Sequence, residues 1–162
     1  PLSDLSKQSF VHYLSSGGGL MILHFSNGAF HYSLPNAPET DWPEYRNICR
    51  RVWDHNSNSA HDAYGSFTVN IRNRYDPATK RLKDFETTDE LYYNQKGSAA
   101  IDTLLSAKSK NTGQDEPLAW RYTYGNGRVF QTLLGHNEQS YSSAGFRKLL
   151  LNAALWTSGK VK

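Results

Sequence analysis

Two histidines stand directly after apolar runs. His24 closes Leu20-Met21-Ile22-Leu23, and His136 follows Val129 to Leu134 and Gly135. The first run is unbroken, which is how a strand covered on both faces reads. In open α/β sheets ligands bind beyond the carboxyl ends of the strands, so a side chain placed there meets them. An imidazole at such an edge can ligate a metal or move protons near neutral pH. If the two strands run parallel, His24 and His136 emerge at the same edge. Glu90, in the cluster Asp89-Glu90-Leu91-Tyr92-Tyr93-Asn94, is the third candidate. Two His and one carboxylate fit a catalytic metal site with open positions, although a carboxylate here can equally decorate a surface turn. His61 and His55 lie in a polar loop, where a solvated imidazole is the ordinary state. They lack the i,i+4 spacing of the helical zinc motif.

Elements must bring these residues together. Ser3 to Ser16 reads as a helix from the spacing of Leu5, Phe10, Val11 and Leu14, and Gly17-Gly18-Gly19 stops it. A strand at 20–23 follows, so helix, glycine turn and strand form the αβ half of a doubly wound unit. Asp41-Trp42-Pro43-Glu44 is a capping box with Pro just inside a helix whose stripe, Tyr45, Ile48, Cys49 and Val52, runs to about Trp53. Ser66 to Arg72 alternates as a strand with one wet face. The stretch to about Asp84 reads as irregular. Ile101 to Ser106, Pro117 to Tyr124 and Val129 to Leu134 are further strands, the last two joined by a tight turn at Gly125-Asn126. A helix from about Ser143 buries Phe146, Leu149, Leu150, Ala153, Ala154 and Trp156.

Bulk properties narrow the field. At 162 residues the chain makes one domain, 1–162, without repeats or a linker. Its hydrophobic share of 38% and charged share of 20% are those of a soluble globular chain. The formal charge of +3 is spread out, except for Arg46, Arg50 and Arg51 on one helix. A solvated helix face explains that group better than nucleic acid does, and no nucleic-acid partner is expected. One cysteine excludes an internal disulfide. No apolar run approaches the roughly 20 residues of a membrane span, and the compartment is not readable. The aromatic share of 13% suits a cleft for flat polar ligands such as sugars.

Other signals carry less. Gly17-Gly18-Gly19 precedes a strand instead of opening a helix, so it is no phosphate cradle. Cys49 sits on an apolar stripe with no base beside it and reads as inert core. The chain also opens on a crossover helix with no earlier strand. This suggests that βα units preceding it in a doubly wound sheet are missing, or that a partner or second copy completes the sheet.

Several stretches resemble the trehalose-utilisation (ThuA-like) family. They are Gly17 to Phe25, Asp41-Trp42-Pro43-Glu44-Tyr45, Phe85 to Tyr93, Gly113-Gln114-Asp115-Glu116-Pro117-Leu118-Ala119-Trp120, Tyr124 to Phe130 and Leu134-Gly135-His136. The resemblance covers nearly the whole chain, in order. It implies a flavodoxin-like, class I glutamine-amidotransferase-like α/β fold: a three-layer sandwich with a largely parallel sheet, here N-terminally truncated. Gly135-His136-Asn137-Glu138 resembles the late His-x-Glu element of true amidotransferases, which puts His136 and Glu138 at the base and orienter positions. No Cys follows the strand ending at His24, and Phe25-Ser26-Asn27 is not a nucleophile elbow. Acyl transfer without the thiol fails, so glutamine hydrolysis is not expected.

The resemblance points instead to carbohydrate metabolism linked to trehalose or related keto-sugars. Catalytic roles fall on His136, His24 and Glu90, and the same three are the expected ligands of a divalent metal such as zinc. Asn27, Trp42, Tyr92, Tyr93 and His61 are expected to bind a small carbohydrate by hydrogen bonds and stacking. Whether the chain is an enzyme is left open between two readings. One is a carbohydrate-active hydrolase or isomerase. The other is a non-catalytic sugar-binding or interaction module that kept the cleft and lost the chemistry.

Overall fold

The structure, a computed structural model, describes residues 1–161. Helix α1 (Asp4–Ser15) starts where the Ser3 hydroxyl accepts the Ser6 N–H. Gly17, at φ 115°, turns the chain into β1 (Gly19–Leu23). Helix α2 (Pro43–Cys49) follows a loop. Then come β2 (Ala60–His61), β3 (Gly65–Ile71), β4 (Phe85–Asp89), β5 (Tyr92–Tyr93), β6 (Thr103–Lys108), β7 (Asp115–Tyr124) and β8 (Gly127–Thr132). The short α3 (Glu138–Ser142) leads to α4 (Ala144–Thr157), whose N-cap hydroxyl, Ser143, accepts the Phe146 N–H.

Six strands form one sheet in the order β1-β8-β7-β6-β3-β4, and β2 pairs with β5 beside it. Only β1 and β8 are parallel; the other four neighbouring pairs are antiparallel. The fold is α/β as expected, but the largely parallel sheet is corrected to a mixed, mostly antiparallel one. The reason is connection length. A parallel neighbour needs a crossover of a dozen or more residues, whereas β7 and β8 are joined by Gly125 and Asn126 alone. Burial patterns show that a segment is a strand without naming its neighbour.

Helices cover both faces. Val129 packs with Leu14, Ile22, Tyr45 and Ile48 beneath α1 and α2, while the next residue, Phe130, belongs to the core of Phe146, Leu149, Ala153 and Trp156 under α4. Successive strand residues point to opposite faces, so both need apolar side chains. That is why Val129 and Phe130 stand side by side in β8.

Two expected boundaries move. Helix α2 stops at Cys49 instead of Trp53, because Arg50 turns left-handed at φ 58°. Beyond the irregular stretch to about Asp84, the region around Asp89, to which periodicity assigns no element, contains β4 and β5. Its residues, Phe85-Glu86-Thr87-Thr88-Asp89, are too polar to announce a strand.

Candidate functional site

Pairing decides which strand ends share an edge. With β1 and β8 parallel, Leu23 and Thr132 end together. The antiparallel steps through β7, β6 and β3 bring the carboxyl end of β4, Asp89, to that same edge. His24, Glu90 and His136 therefore follow three strand ends on one side of the sheet.

Their donor atoms converge. His24 Nε2 lies 3.2 Å from His136 Nδ1 and 3.5 Å from a Glu90 carboxylate oxygen, and that oxygen is 3.2 Å from His136 Nδ1. Each residue offers one atom to a common group within 4.8 Å. The His24 backbone, at φ 47°, is in the left-handed region that turns its side chain off the strand. His24 Nδ1 donates to the Leu133 carbonyl at 3.0 Å, since a carbonyl can only accept. In the neutral ring this leaves the lone pair on Nε2, facing the cluster, where the Tyr92 hydroxyl also reaches it at 2.9 Å. Burial holds the His24 pKa below the ordinary histidine value, opposed by the Leu133 bond and by the charges of Asp89 and Glu90. Burial likewise pushes the Tyr92 phenol up, so it stays a protonated donor.

Asp89 is the positioning residue that sequence reading missed. Fully buried, it accepts the Gly135 N–H at 2.8 Å on one oxygen, and the Glu90 and His136 N–H groups at 2.8 and 3.2 Å on the other. One carboxylate thus fixes the backbone at two of the three donors. Its neighbour Glu90 drew attention as the metal-type ligand; only the fold discloses that Asp89 points inward.

His61 comes within 3.7 Å of the second Glu90 oxygen through Nε2, and its Nδ1 donates to the Asp62 carbonyl at 2.7 Å. Aromatic rings surround the donors. Tyr92 meets Trp53 edge-on at 4.7 Å between centroids, Trp53 lies 5.9 Å from Phe25, and Tyr64 lies 5.5 Å from His136. The Tyr64 hydroxyl donates to Gln139 Oε1 at 2.7 Å, which ties the rim to α3. No spacing rule pointed to Trp53 or Tyr64.

Other expected site residues lie elsewhere. Trp42 is core: it is buried against Phe10, Phe30 and Tyr45. Asn27 is fully buried, its amide donating to Gln95 Oε1 and the Arg51 carbonyl. The Tyr93 hydroxyl accepts from Asn111 at 3.2 Å. Glu138 opens α3 as an exposed residue, and the carboxylate beside His136 is Glu90 instead. Ser26 spends its hydroxyl on the Leu23 backbone, and the Cys49 thiol is buried and pushed up to about 12. Neither is placed as an activated nucleophile. The three arginines are engaged by the chain itself: Arg46 pairs with Asp41, Arg50 lies over Tyr122, and Arg51 donates to the Ala99 carbonyl.

Comparison with known proteins fits this architecture. The family model described as ThuA, trehalose utilisation, matches residues 1–157. The chain belongs to the ThuA family. A putative ThuA-like protein from Parabacteroides merdae superposes with TM-score 0.82 at 26% identity, over 97% of this chain and 66% of that one. Another from Bacteroides uniformis gives 0.75 at 22%, over 100% and 67%. A cytoplasmic protein of Salmonella typhimurium shares the fold at TM-score 0.61 and 13% identity, over 97% and 62%. This ThuA-family chain thus spans about two thirds of the length of these solved structures. No curated protein matches it. Among the described residues no helix is long and apolar enough to cross a membrane.

Proposed function

We propose that this ThuA-family domain acts on a small carbohydrate related to trehalose, and that His24, Glu90 and His136 hold a divalent metal such as zinc for that purpose. The observation that carries the reading is the spacing of the donors. Metal–ligand bonds of about 2.0–2.1 Å in a tetrahedral site put ligand atoms about 3.3–3.4 Å apart. The three separations here, 3.2, 3.2 and 3.5 Å, bracket that value. The donor chemistry agrees. His24 is held by a carbonyl on its other nitrogen, the usual way a ligating imidazole is oriented, and Glu90 supplies the anion.

When bound, such a metal supplies Lewis-acid polarisation of a sugar oxygen and makes water more acidic. The protein's own groups do the rest. His61 directs an unprotonated Nε2 toward the cluster and can take or return a proton there. Tyr92 offers a hydroxyl donor beside His24. Phe25 and Tyr64, both partly exposed, with Trp53 behind, present apolar faces of the kind that stack on sugar rings. This residue set supports hydrolysis or isomerisation of the sugar. Glutamine amide hydrolysis has no nucleophile in this arrangement.

Metal analysis of the purified protein, with melting curves in zinc and in chelator, tests the reading. About one metal per chain is expected, with a higher Tm in zinc that His24→Ala or His136→Ala abolishes. A metal-free protein whose melting ignores both additives would overturn it. Turnover of trehalose and its oxidised keto forms should then depend on His61. Sugar binding without turnover in the metal-loaded protein would favour the non-catalytic module.

A further inference from the structure

At the opposite edge of the sheet the connection from β3 to β4 lies against α4. It frames a cleft of about 510 Å³ lined by Arg74, Lys80, Arg81 and Lys148, with Pro77 and Leu155 among its apolar walls. Among the described residues no acidic side chain lines it. The volume lies within the range of small-molecule sites, about 300–1,000 Å³. Four cations concentrate here in a chain whose whole formal charge is +3.

The local acids are already committed. Asp76 is buried and receives Arg121 Nε on both oxygens, at 2.8 and 2.7 Å. Asp84 pairs with Arg74 at 3.0 Å. Among the described residues, Lys80, Arg81 and Lys148 have no side-chain carboxylate within ion-pair distance. Like charges repel, so gathering them costs stability unless an anion is to be met.

The walls are held in place. Asn152, buried on α4, donates to the Ala78 carbonyl at 3.1 Å and the Lys80 carbonyl at 3.0 Å, stitching the connection to the helix. Asp76 caps the 3₁₀ turn at Pro77–Thr79 by accepting the Ala78 N–H at 2.9 Å. A floppy basic loop would lose much of its binding energy to ordering; this one is arranged beforehand. Tyr75, beside the cations, is 99% exposed and buries almost none of its ring against the protein.

We infer that this cleft is a second binding site, for a small phosphorylated molecule with a ring body, of which a nucleoside diphosphate is the type. Phosphates meet Arg81, Lys80 and Lys148, where the arginine fork can grip two oxygens at once. The ring lies on Tyr75 and the apolar wall. The site is at the far edge from His24 and is independent of what that cluster does.

Calorimetric titration with inorganic pyrophosphate and with ADP tests the inference. Both should bind saturably, ADP about tenfold more tightly because of stacking, and both more weakly as salt rises. Lys80→Ala/Arg81→Ala/Lys148→Ala should abolish both, with circular dichroism and melting little changed because Lys80 and Arg81 are exposed and Lys148 is only half-buried. Tyr75→Ala should erase the ADP advantage and leave pyrophosphate alone. No saturable binding of either anion, or equal binding by the triple variant, would overturn the site. Tighter binding of a duplex oligonucleotide, lost in the same variant, would overturn the small-molecule reading by making this face a nucleic-acid contact.

Discussion

The Leu133 carbonyl accepts the Nδ1 proton of His24 at 3.0 Å, 109 residues away in the chain. The end of β8 therefore sets the tautomer of the imidazole that ends β1. A parallel strand pair is in this sense part of the site's chemistry, since it decides which nitrogen carries the lone pair.

Asp89 and Glu138 separate two accounts of what orients His136. Asp89→Ala leaves three backbone N–H groups without their acceptor and should lower stability by about 3 kcal/mol in urea unfolding. Metal affinity should fall about 10–100-fold, the usual cost of losing a supporting partner. Glu138→Ala, at an exposed position, should change both little. An effect of Glu138→Ala as large as that of Asp89→Ala would restore the amidotransferase-like arrangement.

Trp42 tests the core against the cleft. Trp42→Ala should cost about 3–5 kcal/mol, as deletion of a buried indole does. Sugar binding by the folded fraction should be unchanged, because its neighbours are Phe10, Phe30 and Tyr45. Lost sugar affinity at full stability would show that the ring reaches ligand after all.

His31 makes stability depend on pH. It is buried, and its Nδ1 accepts the Ser33 N–H at 3.2 Å, a bond that protonation of that nitrogen would destroy. Burial holds its pKa below the ordinary value of 6.5. The unfolded chain thus binds more protons in that window, so the contribution is whole above about pH 6.5 and declines as the pH falls. His24 is shifted the same way and adds to the trend. Melting between pH 7.5 and 5.5 should show a smaller loss for His31→Asn than for wild type.

Gly127 couples α1 to the β7–β8 hairpin. A Cβ there would lie 2.0 Å from the Leu14 carbonyl oxygen, a backbone atom that cannot swing aside. Gly127→Ala should cost about 3 kcal/mol by forcing the helix off the sheet. Equilibrium unfolding measures it, and a neutral result would mean that α1 is free to move.

Much of the architecture was legible because it is written locally. The glycine stop after α1, the two-residue turn between β7 and β8 and the apolar stripe of α4, on which Ala154 alone is exposed, depend on neighbours a few residues apart. Polar strands were not legible. The burial of Thr87 and Asp89 on β4 comes from what packs against them, and their residue types argue for the surface.

The sequence by itself determined that His24 and His136 follow strands and that Glu90 offers a carboxylate, because apolar runs and residue types are local facts. Only the tertiary structure decided that these donors meet, that Asp89 holds two of them, and that Trp42 and Glu138 do not join them. Strand direction and partner are settled by packing between segments as much as 109 residues apart, and no window of periodicity spans that distance.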